Sequence, residues 1–281
     1  MTTEGKEEMS GRLRSWAFYV EPARFLVLIV AFIGIIWILG TLGYVDLPFA
    51  VGKLPLFFRG AFITLAAVAV ILPLALLVGF FVGWARISRS TPAYWISTVF
   101  VEVFRGTPQL VLVLVAFFVV LPLVSGAGAS TKVLAFWVGS VALALHSAAY
   151  QGEIFRAGFQ SVPTGQIEAA HALGLDSWHT MREIVLPQAF RVSLPPLGNE
   201  FANIVKDSSI LAFLGELSFI IVSYDLTAWG RQMSQLAFNV NTAVFIWIII
   251  AIFYFLIIYV LTAVMIAVER RLRVPGLEAA L

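Results

Sequence analysis

Five stretches of this chain are long and apolar enough to cross a lipid bilayer, and they limit it to very few folds. They are residues 23–43, 58–84, 94–124, 132–155 and 240–268. A helix needs about 20 residues to cross the hydrocarbon core. Inside that core each backbone N–H and C=O must be bonded within its own segment, so a bundle of helices follows. A sixth stretch, 191–223, is apolar but interrupted by Pro195-Pro196, Gly198 and a polar run. The expected fold is an all-α integral membrane protein of about six transmembrane helices, one of them broken.

Composition agrees: 60% of the 281 residues are hydrophobic and 12% charged, against about a quarter charged in soluble domains. The net charge of +2 is too small to point to nucleic-acid binding. Without cysteine, neither a disulfide framework nor a thiolate metal site can form. Residues 1–22 read as a mixed-charge tail. The apolar run after them lacks an Ala-x-Ala cleavage pattern and reads as a retained span. The expected division is tail 1–22, an extra N-terminal helix with its outer loop 23–56, a transmembrane domain 57–268 and a tail 269–281. Breaker clusters at Asp46-x-Pro48, Ser88 to Pro92 and Ser125 to Ser130 separate the spans.

Basic residues give the orientation. With the N-terminus inside, the inner side holds Lys6, Arg12, Arg14, Arg24, Arg86, Arg89, Arg156, Arg182, Arg191, Arg270, Arg271 and Arg273. The outer side holds only Lys53, Arg59, Lys132 and Arg231, while Arg105 and Lys206 lie within spans. The positive-inside rule then places both termini, and the 156–190 loop, in the cytoplasm of a multi-pass protein of the cytoplasmic membrane.

That loop is longer than a turn requires and has helix signals of its own. Gln166 to Leu173 are good helix formers, Gly174 stands where a C-terminal cap belongs, and Leu175 follows it. Asp176 or Ser177 can start a second short helix, which Pro187 is expected to stop. Ala169 and Ala170 would leave a small-residue surface for close approach, and Glu168 an acceptor for a basic partner. An amphipathic helix resting on lipid headgroups is the plainer reading, but the segment carries Glu168, Asp176 and Glu183 and no Lys/Arg-rich face.

Polar residues at membrane depth are the other candidates. After Pro195-Pro196 come Asn199, Glu200, Asn203, Lys206, Asp207, Ser208 and Ser209. So many polar groups are costly in lipid, so they should face a cavity, another helix or a partner. Asn199 and Glu200 read as a substrate pathway. Asn203, Lys206 and Asp207 read either as its continuation or as a Lys206–Asp207 pair with interhelical hydrogen bonds. Glu153 reads equally as an i,i+3 pair with Arg156 or as a contact for a substrate ammonium or guanidinium. Glu102 and Arg105 share that spacing and read as a structural pair before Gly106-Thr107-Pro108, where the helix should kink. His146 reads as a packing residue. His171 and His179 lack a third ligand, so no metal site is expected.

The motifs resemble those of a known family. Glu168-Ala169-Ala170-x3-Gly174-x9-Ile184-x-Leu186-Pro187 resembles the loop by which ABC importer permeases dock into their ATPase subunits. Phe100 to Gln109, Ala149 to Gly158, Ser161 to Gln166, Leu194 to Asn199 and Lys206 to Ile210 resemble segments of the polar amino acid permeases. That subfamily takes up histidine, glutamine, glutamate, arginine and opines. The likeness runs from about residue 57 to Arg273. It implies a type I five-helix core with the N-terminal helix as an addition, and a docking helix at Glu168, Ala169, Ala170, Leu173, Gly174, Leu175, Asp176 and Pro187. It further implies two copies of an ATP-binding subunit, a second permease chain, identical or related, a solute-binding protein outside, and an amino acid substrate. No Gly-x4-Gly-Lys-Ser/Thr loop occurs, so no cofactor is expected here, and ATP and Mg would belong to the partner. The competing reading is an ion-coupled secondary carrier, which explains the buried polar groups but leaves the loop without a role.

Overall fold

The computed structural model describes residues 46–124, 131–212 and 225–272, with scattered positions between 27 and 44. The expected span 23–43 falls mostly outside the described residues, and the tail 1–22, the segment 125–130 and the end of the chain beyond 272 wholly so. Among the described residues the regular structure is helical: α1 (Leu47–Gly52), α2 (Leu54–Ile87), α3 (Thr91–Gly106), α4 (Gln109–Val124), α5 (Thr131–Gln160), α6 (Thr164–Ala172), α7 (Ser177–Thr180), α8 (Leu186–Asp207), α9 (Leu226–Gln235) and α10 (Val240–Leu272). The helices α2 and α10 are each long and apolar enough to cross a membrane alone. The pair α3–α4 counts as a third span only as a broken one, bent by 105°.

Small residues set the packing. α2 lies along α5, and at Gly83 a Cβ would stand 2.7 Å from both the Gly152 carbonyl and the Phe155 Cβ. Gly152 returns the contact, its own Cβ position falling 2.7 Å from Val82. In lipid, where apolar surface is as well solvated outside as inside, such backbone approach is a main source of helix association. α8 closes on α5 in the same way, with Gly158 against Ala189 and Ser193. One apolar core joins α2, α4, α5 and α8 through Ile71, Val113, Phe155 and Val205. A smaller one gathers Phe57, Leu226, Ile246 and Ile250 where α2, α9 and α10 meet.

Two local expectations are corrected. The break does not fall at Pro195-Pro196, which lie inside an unbroken α8. It falls at Thr107 (φ −106, ψ 132) and Pro108, between α3 and α4. Nor does Pro187 stop the docking-loop helix: α7 runs into α8 through a π turn, Met181–Val185. Pro187 brings no N–H, and the wider turn absorbs the missing donor. The Gln188 side chain meanwhile bonds the Ile184 carbonyl at 3.0 Å.

Candidate functional site: a capped docking loop and a polar helix face

The loop is built by two caps. α6 ends in a Schellman motif: Leu175 N–H bonds Ala170 C=O at 3.1 Å and Gly174 N–H bonds His171 C=O at 3.0 Å. Gly174 takes φ +86, a conformation any Cβ strains. The ring of His171 adds a 2.9 Å bond to the Leu175 carbonyl. Asp176 then caps α7, accepting from His179 N–H at 2.8 Å. That bond first, and the His179 ring second, hold the Asp176 carboxyl below its ordinary value. Glu168 and Ala169 face outward. Ala170, expected at the surface, is buried, only 1% exposed. Leu173, at the cap, is 85% exposed. Two contacts that local pattern does not show fix the loop's position: Trp178 stacked on Trp84, and Gln188 bonded to Gln166 at 2.7 Å. Pro187 is exposed beside them, just past the π turn.

At depth, one face of α8 carries a ladder. Asn203 donates to Glu200 at 3.3 Å, and Lys206 donates to Asn203 at 3.1 Å. Ser147 of α5 donates to Glu200 at 2.8 Å and Gln109, the first residue of α4, to Asp207 at 2.8 Å. The Lys206–Asp207 pair is not formed; lysine and aspartate point to different partners. Asn199, Asn203 and Lys206 are exposed, so this face is open on one side. Ser147 and Gln151, four apart on α5 and bonded at 3.2 Å, back it; Gln151 Oε1 is buried without a hydrogen-bond partner. The spacing of Ser147 and Gln151 was a usable signal, whereas the Gln109–Asp207 contact spans 98 positions and leaves none.

Glu153 stands apart from that ladder. Its carboxylate accepts from Arg86 and, at 2.9 Å, from Arg156 Nη2, with Arg105 at 3.9 Å. Its oxygens are spent on arginines from α2, α3 and α5. The expected Glu102–Arg105 pair is absent: Arg105 turns inward to Glu153 and the Tyr150 ring, 5.0 Å away, and leaves Glu102 exposed.

A helical bundle with a capped loop at one end and an open polar face on α8 suits a transport component, and the comparisons agree. Residues 75–274 match the family described as the binding-protein-dependent transport system inner membrane component, and the chain belongs to it. It is 34% identical over 228 residues to the arginine transport system permease protein ArtQ of Bacillus subtilis, covering 81% of this chain and 97% of that one. It is 35% identical to the glutamine transport system permease protein GlnP of Escherichia coli, covering 79% and 94%. A solved amino acid ABC transporter with histidines superposes at a TM-score of 0.69 and 33% identity, covering 81% of this chain and 99% of that one.

Proposed function

We propose that this chain is one of two permease subunits of an ATP-driven importer of polar amino acids. A solute-binding protein delivers substrate from outside, and a separate pair of ATPase subunits, holding ATP and Mg, grips the 156–190 loop. Both chain termini lie in the cytoplasm. The observation that carries the coupling role is Leu173, a large apolar side chain at 85% exposure on a cap made rigid by Gly174. An exposed apolar knob on a fixed loop, with Glu168 one turn away, suits a groove in another protein better than water. Movement of that loop reaches the spans because α7 continues through the π turn into α8. The substrate pathway is the open face bearing Asn199, Glu200, Asn203, Lys206 and Asp207; Glu153 serves instead to hold α2, α3 and α5 together. The relatives' amino acid substrates support the substrate class.

Gly174→Asp tests the coupling role. At φ +86 a Cβ costs about 1–2 kcal/mol locally, too little to unfold the bundle but enough to displace Leu173. The variant is expected to reach the membrane and to lose the co-purifying ATPase and ATP-dependent uptake. Retention of both would overturn it.

A further inference from the structure

α3 has three sides. Ser97 and Val101 are buried against the bundle, while Trp95, Ile96, Val99 and Val103, each more than half exposed, form an apolar face. At about 100° per residue, Thr91, Tyr94, Thr98, Glu102 and Arg105 fall together on the third side. All of them but Thr98 are exposed. A helix crossing lipid gains nothing from such a polar stripe, but a helix lying in the membrane surface needs one. Two ties put α3 at the surface. Only Ser88, Arg89 and Ser90 separate Thr91 from the end of α2. At the other end, Arg105 approaches the Glu153 carboxylate, which is also held by Arg86, the last residue but one of α2. Both ends of a 16-residue helix, about 24 Å long, are thus kept near one level. That level is the end of the bundle that carries the docking loop, where Trp84 of α2 stacks on Trp178.

On the polar side, Glu102 and Arg105 stand three residues apart, close enough to pair. They do not. Among the described residues no hydrogen bond or ion pair reaches Glu102. The Arg105 side chain is 42% exposed, and its guanidinium makes no hydrogen bond, only the 3.9 Å approach to a carboxylate that Arg86 and Arg156 already satisfy. An exposed acid and an exposed base, held apart beside an apolar face, match a zwitterion with an apolar tail. We propose that α3 seats a phospholipid whose headgroup carries a phosphate and a primary ammonium, of which phosphatidylethanolamine is the simplest. Arg105 donates to the phosphate and Glu102 accepts from the ammonium. The acyl chains lie on Trp95, Ile96, Val99 and Val103. Phosphatidylglycerol would satisfy Arg105 but leave Glu102 unpaired beside a phosphate. Phosphatidylcholine carries both charges but has no N–H to donate. The side of the membrane, the cytoplasmic leaflet, rests on the orientation proposed above; the headgroup preference does not.

The test is the thermal midpoint of the full chain in detergent, with dioleoyl phosphatidylethanolamine, phosphatidylcholine or phosphatidylglycerol added at equal mole fraction. Phosphatidylethanolamine is expected to raise the midpoint by several degrees more than either of the others. Glu102→Gln should erase that difference, and Glu102→Lys should turn the preference to phosphatidylglycerol. Glycerophosphoethanolamine, the same headgroup without acyl chains, should have no effect. Equal shifts from the three lipids, or a preference that survives Glu102→Gln, overturn the proposal. So does a wild-type preference for phosphatidylglycerol, which assigns the contact to the arginines alone. A full effect from glycerophosphoethanolamine overturns the lipid in favour of a soluble ligand. The placement of α3 is checked separately, because a chain without cysteine takes a single spin label cleanly. Labels at Ile96→Cys and Val103→Cys in vesicles should report depths within a few ångströms of each other. A difference of about 10 Å, the rise of seven helical residues, means that α3 crosses the bilayer and overturns the site. None of these outcomes touches the permease reading, which ATPase co-purification tests.

Discussion

Pro108 ends a helix, whereas Pro195 and Pro196 sit inside one. All three lack an N–H and press on the carbonyl four residues back, so proline chemistry does not separate them. What differs is the surroundings. Thr107 is pushed to extended backbone by the proline after it, and Gly106 before it resists little. Both sides of that corner are then held from a distance: Arg105 by Glu153, and Gln109 by Asp207 at 2.8 Å. In α8 the prolines lie at exposed positions, while Ala189 and Ser193 are locked against Gly158, and a Cβ at Gly198 would stand 3.5 Å from Met265. A bend there would tear this packing. Proline permits the bend, and tertiary contacts decide whether it is taken.

The largest test of that comparison is Glu153→Gln. It leaves Arg86, with only 12% of its side chain exposed, facing Arg105 and Arg156 without a counter-charge. Removing one partner of a buried ion pair costs about 3 kcal/mol. The thermal midpoint in detergent should fall by several degrees. An unchanged midpoint would mean that the arginines do not hold the α3 side of the corner. Next comes Gln109→Ala, which deletes a hydrogen bond to the Asp207 carboxylate worth about 2 kcal/mol. It should lower the midpoint less but loosen the corner more, read as faster amide exchange at residues 107–112. Exchange unchanged there would assign the corner to Thr107-Pro108 alone.

These contacts also mark how far the sequence could be read. The caps were legible because they are local: Gly174 and Asp176 satisfy backbone groups within four residues of themselves. The long spans were legible from apolar length, since lipid imposes it. Arg86–Glu153 and Gln109–Asp207 were not, because they join positions 67 and 98 apart, and nothing in either local pattern names the partner. The Glu102–Arg105 expectation failed for the same reason. The i,i+3 spacing allows a pair, but a distant carboxylate already ringed by guanidinium groups drew Arg105 away.

The smallest and sharpest test makes the same substitution at both sites and looks for opposite signs. At Pro108 the backbone already has φ −56, the value the ring prefers. Pro108→Ala therefore frees the unfolded chain and should destabilise by about 0.5–1 kcal/mol. At Pro195 the neighbouring backbone is helical, so Pro195→Ala returns an N–H to the Arg191 carbonyl and removes the ring's pressure on it. The recovered bond is worth about 1 kcal/mol, and more where water is scarce; the unfolded-state term subtracts about half. Pro195→Ala should thus be neutral to stabilising, shifting the midpoint upward by a degree or two, while Pro108→Ala shifts it downward. Two downward shifts would mean that Pro195 holds α8 in a strained shape that its function uses. Two upward shifts would mean that the α3–α4 corner is kept against the chain's own preference by Glu153 and Asp207.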